Sequence, residues 1–471
     1  MPETRSADVV SADVMSADVV IVGGGMAGLA ALLTAVEAGA DARLLERGND
    51  LGGSTVLSSG LLAFAGTAEQ QAAGIADSAD LLRRDLLAAG RGRNSAELVD
   101  AYCEHQLDTY RWLTERGTVF GHPHAASGQS VPRSHPIDTS AAVQGLAKRA
   151  RAAGGRIVTG ARARRLLTEG GRVTGVVADR GGGRLDVRAA ATVLATGGFS
   201  RSSELMTRFA PGMEKALRHG GAGSTGDGLL MACKLGAGLA DLPYVKGTFG
   251  IFPWPSAGEE GTGILAVYKG AIAVNGFGMR FVNESLPYKE IGDACLAQPG
   301  EIAFQVFDAA VLAASDPGVP IYDFRKRITH RQIQQAGTIA GLADKLGVPP
   351  GPLTKTVDEY NARVTAGQPD PLGRETLSGG VGTPVPLVTP PFYGFPSATV
   401  VLATYAGITI DGSTGVLDVY GDPVPGLYAA GEVTGGLHGA GYVTGTSIGK
   451  SAIFGRLAGA AAAELARKAS A

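Results

Sequence analysis

Apolar positions in this chain fall into two rhythms: short unbroken runs, and stretches with helical spacing that follow them. Asp18-Val-Val-Ile-Val-Gly-Gly-Gly-Met-Ala-Gly-Leu-Ala-Ala31 opens with an apolar run at 18–23 that reads as a strand. Positions 26–38 then carry helical spacing up to Gly39, and Asp41 to Glu46 reads as the next strand, so 18–46 predicts a βαβ unit. Residues 77–117 and 139–153 read as helical, and Arg156 to Val158, Ala163 to Leu167 and Val173 to Val177 as strands of a meander. Ala191-Thr-Val-Leu-Ala-Thr-Gly-Gly-Phe199 reads as a strand ending on a double glycine.

The rhythm changes after about residue 238. Residues 244–288 are rich in glycine and aromatics (Phe249, Phe252, Trp254, Tyr268, Phe281), and 328–366 read as helical, with Leu353, Val357 and Tyr360 after the Pro349-Pro350 stop. Pro390-Pro-Phe-Tyr-Gly394 marks a return, and Pro425-Gly-Leu-Tyr-Ala-Ala-Gly-Glu-Val-Thr-Gly-Gly-Leu-His-Gly-Ala-Gly-Tyr442 reads again as strand, Gly-rich turn and helix. The expected division is a leader at 1–17, a first domain part at 18–239, an inserted domain at 240–385 and a returning part at 386–471. The leader repeats Ser6-Ala-Asp-Val-Val10 as Ser11-Ala-Asp-Val-Met15 and Ser16-Ala-Asp-Val-Val20. It reads as a flexible or extended leader, and its first two copies lack the basic and apolar regions of a signal peptide.

Length and composition sharpen the class. A chain of 471 residues with 71 Gly and 24 Pro suits an α/β protein of two domains with many tight turns. A net charge of -2 gives nucleic acid or an anionic membrane no hold. Cys103, Cys233 and Cys295 stand far apart without a CxxC or CxxCH, so inert thiols are expected and a haem-attachment site is excluded. No apolar stretch reaches the roughly 18 residues of a membrane span, and a cytoplasmic location is expected.

Gly23-x-Gly25-x-x-Gly28 follows a strand and opens a helix, where glycines admit a tight turn and a pyrophosphate at the helix N-terminus. Glu46, closing the next strand, can accept from a ribose. A similar segment at each chain end fits one long cofactor, FAD, built into a site from both ends. A second match, Gly221-x-Gly223-x-x-Gly226, follows a run at Met213 to Arg218 that reads as helical, so it is rejected as a dinucleotide site. The small and hydroxylated residues of Gly52-Gly-Ser-Thr55 and Ser58-Ser-Gly60 suit backbone lying against phosphate and a flavin ring.

Taken together, VVIVGGGMAGLAA, LLER, GGST, ATGGF (195–199), STGDG (224–228), GMRFVNE (278–284) and PGLYAAGEVTGG (425–436) resemble the fumarate reductase/succinate dehydrogenase flavoprotein superfamily. The resemblance spans almost the whole chain. It implies an α/β protein: a bipartite Rossmann-like FAD-binding domain with an inserted α+β catalytic domain capping the flavin. Covalently flavinylated members carry a His in the segment matching Gly52 to Thr55; Ser54 stands there, so non-covalent FAD is expected.

At the substrate positions the chain departs from the dicarboxylate reductases. Their carboxylate-binding Arg matches Tyr442, their catalytic Arg falls at Tyr288, and their substrate His matches Ala403. Without these groups a succinate-like dianion loses its hold. Gly441-Tyr-Val-Thr-Gly-Thr-Ser-Ile-Gly449 instead resembles the 3-ketosteroid dehydrogenases, nearer to the branch acting on the 4,5 bond, although those enzymes place their second Tyr where this chain has Pro287. The resemblance implies α,β-desaturation of a 3-ketosteroid or smaller cyclic ketone, with an electron acceptor that the sequence does not name. An enoate or enone reductase is the alternative; a binding or RNA-modifying role fits poorly with the near-neutral charge.

The site residues follow from these segments. Gly23, Gly25, Met26, Ala27 and Gly28 are expected to face the pyrophosphate, Glu46 and Arg47 the adenine-side ribose, and Ala163 the adenine. Gly53, Ser54, Thr55, Ser59, Gly60, Thr196, Gly197 and Asp227 complete the expected cofactor set, with Glu432 on ribityl or ribose hydroxyls. Ser447 and Ile448 are expected to aim N–H groups at the flavin C2 carbonyl. Tyr442 and the Gly445 N–H would hold the ketone oxygen and Tyr288 would take the α-proton, with Lys289 or Lys269 supplying a field. Phe249, Phe252, Trp254 and Tyr268 are expected to wall the apolar pocket.

Overall fold

The computed structural model describes residues 13–254, 263–378 and 380–470, so the first SADV copy lies outside the described residues. The first strand runs Asp13–Val22, earlier than the expected start at 18. Asp13 to Ala17 pair in parallel with Leu185 to Ala189, so the end of the expected leader is extended, not flexible, and belongs to the first strand. The physical reason is the ladder offered by Leu185 to Ala189, since the repeat breaks strict alternation at Val14-Met15 and leaves Val14 exposed.

That strand lies between Ala42–Leu45 and Gly183–Leu194, all parallel, with Arg156–Val158 beyond the former. Pro423–Ala429, from the far end of the chain, pairs with Gly183–Leu194 through Leu427 and Thr192, so both chain ends share one eight-stranded sheet. Ala161–Glu169 and Arg172–Arg180 form the expected meander against Gly183–Leu194. That last strand ends at Leu194, leaving Ala195 to Gly198 as a loop where a strand was expected. On the sheet, helix Met26–Glu37 crosses the last helix, Thr446–Ser470, backbone to backbone. A Cβ on Gly455 would sit 2.4 Å from the Ala27 carbonyl oxygen and one on Gly459 2.3 Å from that of Ala31. Only glycine admits this approach.

A second, six-stranded sheet has Phe392–Val401 as its spine, between Thr248–Ile251 and Ile302–Phe307, with Ile272–Asn275 outside the latter. Gln334–Ala336 and Leu217–Arg218 also pair with the spine. The spine therefore belongs to the inserted layer although it lies beyond the expected boundary at 385; it is buried along almost its whole length and needs ladders on both sides. The run expected to be helical at Met213 to Arg218 is a 3₁₀ turn, Pro211–Met213, followed by the short strand Leu217–Arg218. Helices Tyr288–Leu296, Ile339–Leu346 and Pro350–Thr365 belong to this layer, which has a core of its own around Ile272, Phe307, Phe324 and Phe395.

No helix among the described residues is long and apolar enough to cross a membrane. Cys103, Cys233 and Cys295 are free, and burial pushes the first and last thiols up to about 12.

Candidate active site

One cavity of about 530 Å³ takes its walls from both layers. At the end of the first strand, Gly23 adopts φ +111°, and a Cβ there would sit 2.2 Å from the Ala195 carbonyl oxygen. Gly28 does not reach the cavity; its hydrogen side chain lets the helix press on the turn, since a Cβ would meet the Gly23 oxygen at 1.8 Å. Gly25, Met26 and Ala27 line the cavity at the N-terminus of that helix. Gly25 gives the helix no side-chain cap, and Thr55 Oγ1 accepts the Met26 N–H at 3.2 Å.

Around this turn the charged residues are already organised. Glu46 accepts the Gly24 N–H at 2.8 Å and the Gly48 N–H at 2.7 Å, so its carboxylate braces two turns at the cavity wall. Arg162 makes a bidentate pair with Asp227 at 2.8 and 2.9 Å, and Arg47 donates to Thr225 Oγ1 at 2.7 Å. Burial acts to raise Asp227, but the Arg162 hydrogen bonds outweigh it and hold the carboxyl below its ordinary value. Ser54 Oγ accepts the Gly221 N–H at 3.0 Å, so the rejected second glycine motif in fact lines this same cavity from Gly220 to Ser224.

Ala163, Gly53, Ser59, Gly60, Thr196, Gly197, Glu432, Ser447 and Ile448 all line the cavity as well. Glu432 accepts the Thr404 N–H at 3.0 Å, and burial raises its carboxyl above the usual range. FAD passes a physical test here: a helix N-terminus opens on the cavity, and Thr196 Oγ1, buried in the wall, has no hydrogen-bond partner among the described residues.

The other end of the cavity is aromatic. Tyr288, the first residue of its helix, lies 6.3 Å from Tyr442, ring centre to ring centre. Tyr405 stacks on Tyr442 at 4.6 Å, and His438 stands against both, 5.2 and 5.3 Å away. Burial raises the Tyr442 phenol, and the nearby Ser447 and Gly445 N–H groups and the Tyr405 hydroxyl offset part of that rise. Burial holds Tyr288 and Tyr405 well above the ordinary phenol value. Gly445 is fixed by close approach: a Cβ would sit 2.7 Å from the Ala63 nitrogen.

Of the four aromatics expected in the wall, Phe249 alone lines the cavity. Tyr268 is sealed in the inserted core with its hydroxyl on the Leu286 carbonyl, Phe252 packs on Phe395, and Trp254 is half-exposed. A new layer needs its own core, and aromatics fill it first. The remaining walls there include Ile251, Ile264, Leu265 and Ile321, together with the buried Arg327. Sequence reasoning missed Arg327 and the contact of Tyr405 with Tyr442.

Lys289, not Lys269, meets the tyrosines: Lys269 lies over Tyr322 at 4.3 Å, whereas Lys289 Nζ lies 4.3 Å from the Tyr405 ring centre and 5.4 Å from that of Tyr442. It donates to the Lys246 carbonyl at 3.0 Å, and burial brings it from 10.5 to about 7. With a folded value below the unfolded one, the cost of burying the charge is complete below about 7 and vanishes by 10.5. The melting temperature of Lys289→Met relative to wild type should therefore fall as pH rises through that window. A constant difference would show that Lys289 is not a buried titrating cation.

The FAD binding domain family matches residues 18–448. The probable fumarate reductase Ifc3 of Shewanella frigidimarina is 30% identical over 94% of this chain and 74% of its own length. The NADH:fumarate oxidoreductase of Klebsiella pneumoniae is 31% identical over 95% of this chain, which spans 48% of that protein. The 3-ketosteroid-Δ4-(5α)-dehydrogenase of Rhodococcus jostii, solved with 4-androstene-3,17-dione, superposes with a TM-score of 0.77 at 29% identity, covering 97% of this chain and 98% of that one. The chain belongs to the FAD binding domain family, within the fumarate reductase/succinate dehydrogenase flavoprotein superfamily, and is an FAD-dependent oxidoreductase.

Proposed function

We propose that this flavoprotein desaturates a neutral ketone, a 3-ketosteroid or a smaller cyclic ketone, to the α,β-enone. The observation that carries the reading is the cluster of Tyr288, Tyr405 and Tyr442 in contact on an otherwise largely apolar wall. Bound FAD supplies the hydride acceptor. Tyr442 and Gly445 both line the cavity, where the hydroxyl and the N–H can converge on a ketone oxygen. Two donors there stabilise the negative charge that grows on the oxygen and acidify the adjacent carbon. Tyr288, on the facing layer, takes the α-proton. Its helix begins at Tyr288 itself, after Pro287, so its position is set by the helix start. Incubation with an artificial acceptor and a panel of saturated cyclic ketones should give a product lighter by two hydrogens with enone absorption. Absence of such a product across the panel would remove the reading.

As a base Tyr288 must act as phenolate, and burial opposes its ionisation. The rate of ketone-dependent flavin reduction should then climb by about tenfold per pH unit across the neutral range, the behaviour of a base far below its pKa. A flat profile would assign the proton elsewhere.

The cofactor is proposed to be non-covalent, because Ser54 occupies the position where flavinylated members carry His. Acid precipitation should leave the yellow colour in the supernatant; colour retained in the pellet would contradict this.

A second reading, reduction of an α,β-unsaturated acid, has Arg327 in its favour: a guanidinium on the cavity wall can hold a carboxylate. Under that reading Arg327→Met would abolish turnover of an acid, whereas a neutral ketone would be turned over by neither form.

A further inference from the structure

Tyr405 is held in an unusual way. Its φ is +54°, in the left-handed region that a bulky side chain avoids, and such strain persists only where surroundings impose it. The turn before it is pinned by the Thr404 N–H on Glu432, and the strand after it, Gly407–Ile408, pairs with Leu239–Ala240. This backbone delivers the ring onto Tyr442, 4.6 Å away and 29° from parallel, which sets the two phenols side by side at the cavity wall. Lys289 Nζ lies 4.3 Å from one ring centre and 5.4 Å from the other. The ammonium therefore lies beside both stacked rings, nearer to Tyr405.

We propose that Tyr405 is a positioning residue that, with the Lys289 ammonium, polarises the Tyr442 hydroxyl and so strengthens the hydrogen bond Tyr442 gives to the substrate oxygen. The inference rests on the reading of Tyr442 as that donor. A hydroxyl that accepts one hydrogen bond gives a stronger one, so a Tyr405 hydroxyl turned onto the Tyr442 oxygen makes Tyr405, Tyr442 and the ketone oxygen a cooperative chain. A cation beside the rings favours negative charge on the phenol oxygen. The groups facing Lys289 are Asp293 on its own helix, Lys246, Glu432, and His438, whose ring burial keeps neutral. Lys289 carries its charge below about 7, so its share of the effect belongs to that range.

The test uses FAD-loaded enzyme and two probes that are not turned over: a dinitrophenolate, which mimics an enolate oxygen, and a neutral enone. Affinities are read by calorimetry, with flavin content checked for each variant. Tyr405→Phe should weaken the dinitrophenolate by about tenfold or more, the range for hydrogen bonds to charged groups, and leave the enone within about twofold. Lys289→Met should weaken it below about 7 and converge with wild type above. Equal loss of both probes in Tyr405→Phe would make Tyr405 a matter of pocket shape only, and unchanged dinitrophenolate affinity would give it no part; either overturns the proposal. If Tyr442→Phe itself leaves the dinitrophenolate unaffected, the donor reading fails first and the inference falls with it.

Discussion

A Tyr442→Phe enzyme is expected to keep its flavin and its fold while losing about a hundredfold or more in ketone-dependent flavin reduction, the usual range for an oxyanion donor. The ring can stay where it is, because its neighbours hold it by faces and edges: Tyr405 stacks at 4.6 Å, and His438 lies at 5.3 Å. Only the hydroxyl is lost, and Gly445 and Ser447 still line the cavity where a ketone oxygen can reach them. Rapid mixing under anaerobic conditions measures the rate directly. Undiminished reduction would take Tyr442 out of the chemistry.

The largest expected loss of stability lies away from the flavin, in Arg133→Met. Arg133 is fully buried between Asp77, to which it donates at 3.0 and 2.7 Å, and Asp85. Removing the cation leaves two carboxylates in a poorly hydrated interior, a change that costs about 3–5 kcal/mol for buried pairs. The same turn supports the reacting centre: Thr444 donates its N–H to the Ser127 carbonyl at 2.9 Å, and Gln129 Nε2 donates to the Thr444 carbonyl at 2.7 Å. Urea unfolding of the FAD-loaded variant should show the loss in midpoint, accompanied by weaker FAD retention. A loss under about 1 kcal/mol would mean that the two aspartates find water or another partner in the variant, and would contradict this account of Arg133.

The cofactor half of the cavity was legible in the sequence because its chemistry is local. Gly23, Gly25 and Gly28 fall within six residues; Gly23 and Gly28 each mark a close approach of backbone to backbone, and Gly25 lines the cavity at the helix start. The pairing of the two chain ends was legible for a similar reason, since each end carries a strand followed by a glycine turn. Strand Phe392–Val401 was placed in the wrong layer because nothing in a buried strand's own residues names the sheet that takes it. The second glycine motif was set aside on its predecessor, although Ser54 ties it to the same cavity.

The substrate half was legible only through resemblance. Tyr288 and Tyr442 were singled out by the positions they replace, and the structure brings them to one end of the cavity, whereas Tyr405 is marked only by a left-handed φ and by contacts with residues distant in sequence. Aromatic enrichment pointed at Phe252, Trp254 and Tyr268, but composition cannot separate a domain's own core from a wall shared with a ligand. Lys289 and Lys269 looked alike in sequence; burial beside Tyr405 distinguishes them.

The most direct test is anaerobic mixing of the oxidised enzyme with saturated 3-ketosteroids and 4-substituted cyclohexanones while flavin absorbance is followed. Bleaching of the flavin by a neutral saturated ketone, with the matching enone recovered, is the predicted result. No bleaching by any ketone, together with rapid reoxidation of the reduced enzyme by an unsaturated carboxylic acid, would contradict it.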